Sequence, residues 1–158
     1  MALEREIVVF RQFAEKLVQD IGQSIDSSGV SASGNLKDSL RFEVGPNRLT
    51  VFAAPYAKAV EVGRGPSQKA GGDLRGAIRK WIDDKGIIPD GITKDSLAFL
   101  ITRKIHKEGT ALFNGTDFYG RSKPSQVIEG VVQDGRLRGL REDLIKTYVS
   151  QITTLLTQ

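Results

Sequence analysis

His106 is the single histidine of this sequence, and there is no cysteine. Any imidazole base must therefore be His106, thiol chemistry is unavailable, and neither a histidine nor a cysteine metal cluster can form. His106 stands between Ile105 and Lys107 in the last turn of a predicted helix, where a cation interacts favourably with the helix dipole. No nucleophile or orienting acid lies at a motif spacing, so a structural or surface role is expected for it. Asp83-Asp84 and Glu142-Asp143 are adjacent pairs whose members point in different directions on a helix, which suits solvated faces rather than a two-metal site. Gly63-Arg64-Gly65 has the look of a phosphate loop. However, a dinucleotide fingerprint needs glycine where Gln68 stands, and a P-loop needs Gly-Lys-Ser/Thr where residues 65–72 read GPSQKAGG. No catalytic residue, cofactor or metal is expected.

The remaining chemistry is cationic. Residues 63–72 hold four glycines, one proline, Arg64 and Lys69, with nothing apolar larger than Ala70. Fixing each residue costs about 1–2 kcal/mol, which so little burial does not offset, so a flexible arm is expected. Its two cations can reach carboxylates or phosphates supplied by another molecule. RLRGLRE (136–142) places Arg136, Arg138 and Arg141 near a helix start, available to an interface or to nucleic acid, with pairing to Glu142 and Asp143 as the plain alternative. The net charge is +4, and it is uneven. Residues 1–45 carry five cations against seven anions, whereas residues 46–128 carry fourteen against eight. That basic middle is what a nucleic-acid-binding module would use, although such modules usually draw on six or more phosphate contacts.

The elements that must position these groups follow from periodicity. Leu3, Ile7, Phe10, Ala14, Leu17, Ile21 and Ile25 recur at steps of three and four and predict an amphipathic helix of about seven turns, roughly 35 Å long. SSGVSASG (27–34) breaks it. Leu40, Phe42 and Val44 alternate with polar residues, Leu49 to Ala53 is again strand-like, and the turn residues GPNR (45–48) between them predict a β-hairpin. Pro55 suits the first turn of a short helix ended by Gly63, with Tyr56, Ala59 and Val60 on one side. Asp73 is the expected N-cap of a helix bearing Leu74, Ile78, Trp81 and Ile82, with Trp81 in the core. Asp95 is the expected cap of the next helix, which Gly109 terminates.

Residues 109–123 read as a long loop carrying Leu112, Phe113, Phe118 and Tyr119, of the kind that is functional or becomes ordered against a partner. Pro124 opens a last helical region split near residue 135. The fold class is α+β: a small antiparallel sheet, hairpin-based, packed by a long N-terminal helix and several further helices, in one domain spanning residues 1–158. With 39% hydrophobic and 27% charged residues the composition is that of a soluble globular chain. No apolar run approaches the ~20 residues of a membrane span, and Glu4, Arg5 and Glu6 argue against a signal peptide. Synthesis inside the cell is the expectation.

Two stretches carry a resemblance. SGNLKDSLRFEV (33–44) resembles the Thr/Ser-Gly-x-Leu-x-x-Ser-hydrophobic segment that follows the long first helix in tail-completion proteins of long-tailed bacteriophages. APYAKAVEVGRGP (54–66) is similar to that family's Pro-Tyr-Ala-x-x-Val-Glu-aromatic-Gly segment, which also follows a hairpin. The matching positions are Gly34, Leu36, Ser39, Pro55, Tyr56, Ala57, Glu61 and Gly63; Val62 stands where the family has an aromatic, and Ser33 where threonine is commoner. The resemblance implies a non-enzymatic virion protein, made in the host bacterial cytoplasm. It implies a ring of identical subunits, a hexamer or dodecamer, between connector and tail-tube proteins, with genome DNA passing through unbound. Arg64, Lys69, Phe113, Phe118, Tyr119, Arg136, Arg138 and Arg141 are then candidate contacts to neighbouring subunits or partners, and Glu61 is available to a cation. The competing reading is the nucleic-acid-binding module; a nuclease lacks clustered carboxylates or histidines to support it.

Overall fold

The computed structural model describes residues 2–29, 34–67, 73–115 and 123–157. The order is α1 (Ala2–Ser27), α2 (Asn35–Asp38), β1 (Arg41–Gly45), β2 (Arg48–Phe52), α3 (Ala57–Val62), α4 (Leu74–Asp84), α5 (Lys94–Glu108) and α6 (Asp134–Leu156). The protein is thus α+β, with one antiparallel hairpin among helices.

Helix α1 forms because its apolar residues fall on one stripe. The stripe that is buried runs through Glu6, Phe10, Ala14, Leu17, Ile21 and Ile25. Its C-terminal half meets Leu36 of α2 and Val127, with Leu40, Val51, Ala57, Val60, Ile128 and Val131 packed around them. The hairpin pairs Arg41 with Phe52 through Gly45 with Arg48, and Asn47 takes a positive φ of 55° in the turn, a conformation asparagine tolerates. Helix α6 runs antiparallel to α1, since Arg136 pairs with Asp20 near its start and Tyr148 bonds Glu6 further along.

Helices α4 and α5 form a hairpin of their own. The Asp73 side chain caps α4 by accepting from Gly76 N at 2.8 Å, as its type and position require. The cap of α5 is Thr93, whose Oγ1 accepts from Ser96 N at 3.1 Å; Asp95 instead lies in the first turn. Asp95 accepts from Arg79 Nε at 2.9 Å, and Asp83 accepts from Lys94 Nζ at 2.7 Å and from Arg79. The hydrogen bond from Lys94, with the Arg79 charge beside it, holds the Asp83 carboxyl below the usual carboxylate range. The contribution is therefore present at neutral pH and is lost as acid protonates Asp83. Ile82 is fully buried here, while Trp81 is half-buried. The core position of α4 is therefore Ile82, and Trp81 sits at the margin of the stripe. The last helix begins at Asp134 rather than Pro124, with residues 123–132 forming successive turns.

Candidate assembly interface

The residues of the family-like segments are structural, and one hydroxyl joins the two segments. Ser39 Oγ donates to Leu36 O at 2.7 Å and accepts from Ala54 N at 2.9 Å, tying the end of α2 to the chain leaving β2. Gly34 enters α2 with φ 76°, Leu36 is buried, and Ala57 packs on the core. The resemblance implies a scaffold helix with Tyr56 and Val60 packed inward; Pro55 and Tyr56 are exposed, so Tyr56 does not pack inward, whereas Val60 does.

Glu61 is not held out to a cation. Only 5% exposed, it accepts through Oε2 from Ile128 N at 2.9 Å and from Ser125 Oγ at 3.3 Å, and its backbone carbonyl accepts from Ser125 N at 2.7 Å. The carboxylate therefore fixes the turn at 125–128, sixty-odd residues away in sequence. Its second oxygen, Oε1, is out of solvent and has no hydrogen-bond partner among the described residues.

Gly63 ends α3 against a crossing strand of chain. Its φ of 76° and ψ of 173° lie in a region that only glycine occupies readily, and Gly109 adopts nearly the same conformation opposite it. A Cβ on Gly63 would stand 2.4 Å from Phe113 N. Here the expected arm is held at its start. Arg64 N donates to Thr110 Oγ1 at 2.9 Å, Arg64 O accepts from Thr110 N at 2.8 Å, and Ser67 N donates to His106 O at 3.1 Å. The Arg64 guanidinium donates to Ser67 Oγ at 3.2 Å, so it is half-buried and engaged rather than reaching outward. Lys69 lies outside the described residues, as do Phe118 and Tyr119. Phe113 lays its ring on Gly65 and Gly109, carries Lys123 Nζ 4.4 Å from its centroid, and keeps 37% of its surface exposed.

Ser67 beside His106 invites comparison with a nucleophile–base pair, which the geometry does not make. His106 Nδ1 is 3.0 Å from Ser67 O, a carbonyl that can only accept. Nδ1 must then carry the proton and cannot take one from Ser67 Oγ, 3.5 Å away. The contact is a clasp between α5 and the 63–67 segment. Among the described residues no group of three or more metal-ligating side chains occurs, and no helix is long and apolar enough to cross a membrane.

The three arginines of 136–141 separate. Arg136 is turned inward on Asp20 at 2.5 Å, about three-quarters buried, so it serves the α1–α6 contact and not a neighbouring chain. Arg138 and Arg141 are exposed, with no acidic partner among the described residues. They stand on a face of α6 that continues through Ile145, Val149, Ile152 and Leu156, each between 49% and 81% exposed. Spacings of four, three and four keep these residues on one side, like the apolar seam of a coiled coil. Helix α6 thus has two apolar sides, and α1 covers one of them. Comparison of the chain with protein-family models, curated proteins and solved structures gives no match.

Sequence reading missed a second buried carboxylate. Glu6, 3% exposed, accepts from Asn47 N at 2.8 Å and from Tyr148 Oη at 2.9 Å, so one side chain joins α1, the hairpin turn and α6. The signal was present, because Glu6 lies four residues before Phe10 on the buried stripe. The bond to Glu6, helped by desolvation, raises the Tyr148 phenol above its ordinary value. The stabilisation it represents is complete below about pH 10 and is lost as pH rises through the folded value. Tyr148→Phe should lower the melting temperature by a few degrees at pH 7, since it strips a buried carboxylate oxygen of its donor. It should also flatten the loss of stability above pH ~10 seen in the wild type. Thermal denaturation followed by circular dichroism from pH 7 to 11 checks both.

Proposed function

We propose that this chain is a structural subunit of a tailed-bacteriophage virion, one member of a homo-oligomeric ring at the head–tail interface. The observation that carries the reading is the outward face of α6, where Ile145, Val149, Ile152 and Leu156 stand open to solvent along one line. A contiguous apolar face of this kind marks a surface to be covered by another chain. The two-stranded sheet, with no third strand on either side among the described residues, offers further main-chain edges for assembly. The segments at 33–44 and 54–66 support the family, because their residues sit where the long helix, the hairpin and α3 are joined. Connector and tail-tube proteins are the neighbours this role requires, and DNA passes through the ring without specific binding.

Cryo-electron microscopy of the virions tests the proposal. Several copies of this chain around the tail axis at the neck or tail end support it, and virions with no density for the chain there refute it. One observation favours the nucleic-acid-binding reading: Arg103, Lys104 and Lys107 form an exposed basic row on α5 with no acidic partner among the described residues. Three other cations in the middle of the chain, Arg79, Lys80 and Lys94, are spent in ion pairs with Asp83, Asp84 and Asp95. Retention of free duplex DNA that falls steeply as salt rises would favour this second reading.

A further inference from the structure

Beside Glu61 lies a cavity of about 480 Å³, bounded by Val51 and Phe52 of β2, Val62 of α3, and Ile128 and Val132 of the following turns. That volume is within the usual range of sites that accept a group from another molecule. Its walls are largely apolar, yet Glu61 and Glu129 are among the residues that line it. Lys58 also borders it but makes no ion pair with either acid among the described residues. The cavity therefore combines apolar walls with a buried carboxylate, one oxygen of which has no partner among the described residues. Surfaces that leave a buried charge uncompensated are favourable sites for a cation of another chain, because the surrounding low dielectric strengthens the attraction. A guanidinium seated in the cavity lies in the field of Glu61 whether or not it touches Oε1.

The outward face of α6 has the complementary chemistry. Arg138 and Arg141 are exposed and unpaired among the described residues, with Leu137 (46% exposed) and Ile145 beside them. We infer that the α6 face of one copy of this chain docks into the Glu61 cavity of the next, with Arg138 or Arg141 compensating the carboxylate. The inference rests on the ring reading and deepens it by naming the two surfaces that meet. The surfaces differ, so the contact is head-to-tail, the kind that closes a ring by rotation. The same chain supplies both halves: Glu61 spends Oε2 on Ile128 N and Ser125 Oγ and keeps Oε1 unpartnered among the described residues, and Arg138 and Arg141 have no acidic partner there.

Sedimentation velocity between about 1 and 100 μM tests this with three proteins: the wild type, Glu61→Gln, and the double variant Arg138→Glu/Arg141→Glu. The wild type should associate beyond a dimer as concentration rises. Each variant alone should associate at least tenfold more weakly, with its melting temperature kept near the wild-type value. A one-to-one mixture of the two variants should form dimers and stop there. In it the intact α6 face of Glu61→Gln meets the intact cavity of the double variant, and the second contact is spoiled on both molecules. A mixture that stays monomeric overturns the inference, as do variants that associate like the wild type. A wild type monomeric throughout also overturns it, while leaving the ring reading to the virion map. A large loss of melting temperature in Glu61→Gln would mean that the amide does not keep the bonds to Ile128 N and Ser125 Oγ; the double variant, altered only at exposed residues, then decides the docking alone.

Discussion

Gly63→Ala is expected to destabilise the protein by about 3–5 kcal/mol, a large part of the 5–15 kcal/mol that holds a typical domain folded. Two costs combine. Alanine at φ 76° and ψ 173° is in backbone territory that costs about 1–3 kcal/mol for anything but glycine. The new methyl would also stand 2.4 Å from Phe113 N and 2.7 Å from its Cα, backbone atoms that cannot swing aside. Relieving the clash means pulling residues 63–67 away from 109–113, which breaks the Arg64–Thr110 pairing and unseats Phe113 from Gly65. Gly86→Ala is the control. Its φ of 65° is also positive, but among the described residues nothing lies within 4 Å of the added carbon, so only the left-handed penalty of about 1–2 kcal/mol applies. Urea denaturation of the two variants separates them. Equal losses would mean the crossing at Gly63 is loose and that the α4–α5 hairpin is not locked to α3.

Ile25→Ala should cost about 2–5 kcal/mol. Ile25 is fully buried in the cluster with Leu17, Ile21, Leu36 and Val127, where α1, α2 and the 127–131 turns converge. Truncation removes apolar contacts and leaves a cavity among elements anchored by other bonds, including Glu61 to Ile128 N, so collapse into the space is limited. At roughly 2–4 °C per kcal/mol for a chain of this length, the melting temperature falls by about 5–20 °C. Ile152→Ala, at a position 57% exposed, should stay within about 0.5 kcal/mol of the wild type in the isolated subunit. Similar losses at both positions would show that α6 is covered on its outer side even in the free chain.

The sequence by itself determined what short-range physics controls. The apolar stripe made α1 a helix, the alternation around GPNR made a hairpin, and Asp73 and Gly109 marked helix ends, because side-chain spacing, caps and turn residues act within a few positions. The registers of burial were less legible. The stripe of α1 reads equally well from Leu3 and Ile7 as from Glu6, and packing of Tyr148 and Asn47 chose Glu6. Trp81 and Ile82 are neighbours on one helix; tertiary packing buried Ile82 and left Trp81 at the margin. Arg136, Arg138 and Arg141 are alike in composition and context, and only Asp20, more than a hundred residues earlier, drew the first inward. Glu61 looked like a surface acid on a short helix until Ile128 and Ser125 folded over it. In each case the deciding partner is distant in sequence, and which distant groups meet is set by how the helices pack. Only the tertiary structure could settle those choices.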